Sequence, residues 1–123
     1  MQQEDGKKVW VFPDGELPPA GGFKLKGHES VIILNMTKEI AVVELTLYFT
    51  DRPPHEGIMI RVEPRRVRCL RTNDTEDMGG YVIPEETQYA MRFSSDVPVV
   101  MQYGRLDTRE QPMAFYSSNG YSF

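Results

Sequence analysis

Apolar residues in this chain recur at every second position in short runs, and no segment carries them at i, i+3, i+4 and i+7 over three turns. That spacing constrains the fold more than any other feature. Successive side chains of a strand point to opposite faces, so alternation fits strands, and helix is reduced to a minor component. The predicted strands are Lys8–Phe12, His28–Asn35, Ile40–Thr50, Gly57–Val62, Arg65–Thr72, Gln88–Ser94, Val99–Leu106 and Ala114–Ser118. Pro13-Asp14-Gly15, Asp51-Arg52-Pro53-Pro54 and Ser95-Asp96-Val97-Pro98 are stop signals between them, and Met36–Glu39 is short enough to turn a hairpin. Glu16–Gly27, with Pro18, Pro19, Gly21 and Gly22, reads as a long loop, and the acidic Asn73–Gly80 as another. The expectation is all-β: a single-domain β-sandwich of about seven or eight short, mainly antiparallel strands over 1–123, with 1–7 and 119–123 as flexible tails.

Two strands are more apolar than one buried face requires. On His28–Asn35, Val31 and Ile33 point one way while Ile32 and Leu34 point the other. On Ile40–Thr50, Ala41, Val43, Leu45, Leu47 and Phe49 share a face, and Ile40, Val42 and Tyr48 lie on the opposite one beside Glu44 and Thr46. A half-exposed antiparallel strand normally alternates with polar residues. The second face therefore calls for a cover, either a loop or terminus of the same chain or a second subunit.

Composition narrows function mostly by exclusion. Fourteen Lys and Arg against eighteen Asp and Glu give a net charge of −4, which argues against a protein devoted to phosphate backbones. One cysteine, Cys69, rules out an intramolecular disulfide and any multi-cysteine metal cage. The polar start lacks a signal-like apolar stretch, and the longest apolar runs, Val31–Leu34 and Ile40–Val43, are far short of the roughly 20 residues that cross a bilayer. The expected location is the cytoplasm, with no membrane-embedded segment.

Few residues assemble into chemistry. Two distant histidines, His28 and His55, are too few for a metal centre, and neighbours such as His28 and Glu29 point to opposite faces of a strand. No nucleophile motif is present, so no catalytic residue, cofactor or metal is assigned. The arginines Arg61, Arg65, Arg66, Arg68 and Arg71 form the most visible charge feature. Arg65, Arg66 and Arg68 are candidates for anion recognition, against the alternative of an edge strand blunted by charge. The stretch VVMQYGRLDTR at Val99–Arg109 places an amide, a phenol, a guanidinium and a carboxylate within a few residues. Such groups hold a hydroxyl-rich small molecule by paired hydrogen bonds. The candidate ligand set is Gln102, Tyr103, Arg105 and Asp107, with Trp10 as a second aromatic and His28 beside them; the alternative is a structural Arg105–Asp107 ion pair.

The order of several short motifs resembles the sensory rhodopsin transducer family. They are Trp10 with Gly15 and Pro18-Pro19; His28-Glu29-Ser30 with Ile33-Leu34-Asn35; Val43–Tyr48 with Asp51-Arg52; Pro64-Arg65-Arg66; Asn73-Asp74; Ile83-Pro84; Val97–Gln102; and Arg105–Arg109. The resemblance runs from Trp10 to about Ser118. It implies a β-sandwich that assembles as a homotetramer and a non-enzymatic role. It also implies a soluble partner of a membrane receptor, or a sensor of sugars or related metabolites; DNA contact is the least favoured of its implications. It transfers no catalytic residues.

Overall fold

The computed structural model describes residues 5–19, 27–108 and 114–123. Eight strands follow in chain order: β1 (Lys7–Glu16), β2 (His28–Asn35), β3 (Ala41–Phe49), β4 (His55–Val62), β5 (Arg66–Arg71), β6 (Gln88–Asp107), β7 (Ala114–Ser118) and β8 (Tyr121–Ser122). All strand pairings are antiparallel. The chain is an all-β sandwich, and no helix occurs among the described residues.

One strand holds both layers together. The first part of β6 pairs with β3 and β1, building the layer β4-β3-β6-β1-β8. Its second part, from Val100 to Asp107, pairs with β2 and β7, building the layer β5-β2-β6-β7. The turn-like composition of Ser95–Pro98 predicts a break in this segment. Instead the strand runs on through it, because this is where β6 leaves one layer for the other, a place where a proline without an N–H is tolerated. Pro13-Asp14-Gly15 likewise does not end β1: the register shift between Phe12 and Gly15 absorbs it as an irregularity.

Met36–Glu39 is not a hairpin turn. β2 pairs with β5 and β6, so this connection crosses between layers. Buried Asn35 organises the crossing: its Nδ2 donates to the Glu39 carbonyl at 2.8 Å and the Val62 carbonyl at 3.1 Å, and its Oδ1 accepts from the Thr37 N–H at 3.0 Å. The Arg65 N–H donates to the Thr37 carbonyl at 3.0 Å, tying the neighbouring β4–β5 crossing to it.

Inward positions of both layers meet in one core that includes Phe12, Val31, Ile33, Leu45, Leu47, Ile60, Leu70, Met91 and Phe93. Phe12 packs edge-on against Phe93 with ring centroids 6.1 Å apart. The C-terminal segment passes from one layer to the other: β7 borders β6, and Tyr121 and Ser122 then pair with Val11 and Trp10 of β1. Gly120 makes that passage at φ +67, where a Cβ would lie 2.6 Å from the Phe12 ring.

Candidate functional site

The inward parity of β2 begins with a charged residue. Glu29 shares its face with Val31 and Ile33 and is fully buried. A buried carboxylate is tolerated only when its oxygens are hydrogen-bonded, and four donors do this here. Oε1 accepts from the Tyr89 hydroxyl at 2.6 Å and the Thr72 hydroxyl at 3.1 Å. Oε2 accepts from the Glu16 N–H at 3.0 Å and from the Tyr103 hydroxyl. Both tyrosines are buried within β6. Burial first, and the Glu29 carboxylate second, push both phenols above the ordinary tyrosine value of 10.0. Gly15 makes room for the cage, since a Cβ there would lie 2.8 Å from the Tyr89 ring.

Glu16 carries this order outward. Its N–H is held by Glu29, and its carbonyl accepts from Arg105 Nη1 at 3.5 Å. The Arg105 guanidinium lies over the Tyr116 ring, 5.2 Å from the centroid. Glu16, Pro18, Arg105, Asp107, Ala114 and Tyr116 line a cleft of about 150 Å³. A cation braced on an aromatic face beside two carboxylate side chains offers both donors and acceptors to a polar ligand. Pro18 also borders a larger cavity of about 400 Å³, walled by Leu17 and the segment from Asn73 to Glu85.

The chain matches the family described as Anabaena sensory rhodopsin transducer over residues 5–122. It belongs to that family. A solved Thermotoga maritima protein, 1070, aligns with TM-score 0.86 and 31% identity, covering 98% of this chain and 97% of that one. The Anabaena sensory rhodopsin transducer itself aligns with TM-score 0.74 and 36% identity, covering 87% of this chain and 94% of that one. No curated protein matches the chain significantly.

Within this transducer-family sandwich the candidate ligand residues are dispersed. Arg105 and Asp107 line the small cleft, and Tyr103 lies behind it in the Glu29 cage. Gln102 pairs with Ile32 on the outer face, opposite to Tyr103, and His28 pairs with Leu106 on that same outer face. Trp10 belongs elsewhere: its indole N–H donates to the Lys7 and Val99 carbonyls at 3.1 and 3.0 Å. Val99 and Arg105 are separated by about 20 Å of strand. Arg109 lies outside the described residues.

The arginine row is mostly engaged in holding edges. Arg68 donates to the Arg61 carbonyl at 2.8 Å and pairs with Asp77 at 3.3 Å, joining β5 of one layer to β4 of the other. Arg66 reaches the carbonyls of Pro64 and Arg65, and Arg65 sits at φ 55 in the crossing turn. Arg61 pairs with Glu63 at 3.6 Å on the surface. Among the described residues, no group of three His, Cys, Asp or Glu side chains could hold a metal ion.

Sequence reasoning missed Glu29 as more than a neighbour of His28. The signal was available: Glu29 has the parity of Val31 and Ile33, and a charge at an inward position requires partners.

Proposed function

We propose that the protein is a non-enzymatic cytoplasmic sensor that takes the hydroxyl-bearing edge of a small polar molecule, such as a sugar, in the Arg105 cleft. The observation that carries this reading is Arg105, held over Tyr116 and aimed by the Glu16 carbonyl, with Asp107 lining the same cleft. Adjacent hydroxyls both donate and accept, which suits a guanidinium next to carboxylates. At about 150 Å³ the cleft takes one end of a ligand rather than a whole drug-sized molecule. Glu29 and Tyr103 are positioning residues in this reading, since they act through the Glu16 peptide. A thermal-shift screen against sugars, sugar phosphates and nucleotides tests it, because a ligand of the native state must raise the melting temperature. The expected result is a shift that Arg105→Ala removes; no shift with any of these compounds contradicts the reading.

The signal would leave through protein contact, with a receptor or regulatory partner and through self-assembly into a homotetramer. What supports this is the outer face of the β5-β2-β6-β7 layer. Leu34 pairs with Val67 and Val100, and Ile32 lies beside Cys69. Val67 is 63% exposed and Phe115 73% exposed, a concentration of apolar surface that is costly to leave in water. Light scattering at micromolar concentration should give an oligomer mass that Ile32→Asp and Val100→Asp reduce; a wild-type monomer contradicts self-assembly. The exposed Arg65 and Arg66 leave DNA contact as the weakest alternative, detectable as binding that weakens steeply with salt.

A further inference from the structure

We infer that the 400 Å³ cavity on the other side of Pro18 is a second binding site, for an uncharged ring-sized molecule carrying hydroxyl or amide groups. Its volume lies in the range of small-molecule sites, about 300–1,000 Å³. One wall is the stretch between β5 and β6, which contains no strand of its own beyond a single bridge. A long irregular segment in a small domain usually carries function.

This segment is firmly built. Asp74 Oδ1 accepts from the N–H groups of Glu76 and Asp77 at 2.9 and 3.2 Å. Asp77 in turn accepts from the Arg71 N–H at 3.0 Å and pairs with Arg68. Met78 is fully buried, and the Tyr81 ring stacks on His55 with centroids 4.0 Å apart. The far end is pinned by the Glu86 N–H, which donates to the Leu17 carbonyl at 2.9 Å. A cavity with walls fixed in advance spares a ligand the cost of ordering them.

The lining sets the ligand class. Leu17, Pro18, Ile83 and Pro84 offer an apolar wall, and Asn73 and Thr75 supply an amide and a hydroxyl. The one ionisable side chain besides the Tyr81 phenol is Glu85, and no Lys, Arg or His lines the cavity among the described residues. Among the described lining residues, a phosphate or carboxylate would therefore meet the Glu85 carboxylate with no counter-charge. A neutral ring can lay an apolar face on the prolines and turn its polar edge to Asn73 and Thr75. The Arg105 cleft sets a cation beside two carboxylates, so the two sites are distinguishable by their dependence on Arg105.

The test is an amide NMR titration of the whole chain with methyl glucoside and adenosine, each paired with its phosphorylated counterpart, glucose 6-phosphate and adenosine monophosphate. The expected result is saturable shifts at Thr75, Tyr81 and Val82 with at least one neutral probe, binding about ten-fold tighter than its phosphate. Asn73→Ala should weaken that binding severalfold. Val82→Lys, at an exposed lining position, should erase the preference by adding a cation. Arg105→Ala should leave it intact, which separates this site from the cleft. No saturable shift with either neutral probe, equal affinity for probe and phosphate, or loss of binding in Arg105→Ala would each overturn the inference.

Discussion

Two polar clusters lie on neighbouring strands and behave in opposite ways. On β2, Glu29 is fully buried and has four donors. On β5, the arginines are exposed or half-exposed, and Arg66 and Arg68 touch backbone carbonyls and one half-buried carboxylate, Asp77. The arginine row dominates the linear sequence, and the single carboxylate is almost invisible in it. Yet charge interactions grow as water is withdrawn, and they fade at a surface where solvent competes. Value follows burial and completeness of hydrogen bonding rather than the number of charges.

The sharpest way to break this contrast is Glu29→Ala. It strands two phenols, one hydroxyl and one backbone N–H inside the protein, and should cost about 3–5 kcal/mol in a urea unfolding experiment. Removing one donor is milder: Tyr89→Phe should cost about 1–3 kcal/mol, because Oε1 keeps its bond from Thr72. Alkaline pH probes the same cage without mutation. The folded phenols of Tyr89 and Tyr103 ionise above the ordinary value of 10.0, so the unfolded chain loses protons first as pH rises. Their contribution is therefore complete below pH 10 and is lost above it, by up to about 1.4 kcal/mol per pH unit for each tyrosine. Unfolding midpoints followed from pH 9 to 11 should fall, and should fall less steeply in Tyr89→Phe. Among the arginines, Arg68→Ala should cost about 1 kcal/mol, because Arg68 joins the two layers. Arg61→Ala should change stability by no more than about 0.5 kcal/mol, since both partners of its ion pair are mostly exposed.

The sandwich was legible in the sequence because alternation and turn residues act locally. Alternation holds along the start of the Val99–Leu106 strand, with Val99, Met101 and Tyr103 buried and Val100 and Gln102 exposed. What was not legible depends on contacts between distant strands. Ser95–Pro98 looks like a break because composition does not show that β6 serves two layers there. Met36–Glu39 looks like a hairpin because loop length does not say which strands pair. Trp10 looked like a partner for Arg105 because both are ligand-type residues, but the β1–β6 register places it opposite Phe93. Glu29 required the longest step, since its partners come from β1, the residue after β5 and both parts of β6.

One buried carboxylate, Glu29, organises the end of the sandwich where both cavities open, because it holds the Glu16 N–H two residues before Pro18, which borders both. Glu29→Gln tests it most directly, because the side chain keeps its size and one carbonyl oxygen. The Tyr89 and Thr72 hydroxyls can turn to accept from the new amide, but the fixed Glu16 N–H requires an acceptor, so the lost charge is the main change. Urea unfolding should show a loss of about 1.5–3 kcal/mol with an unchanged m-value. A loss as small as that of Arg61→Ala would contradict it.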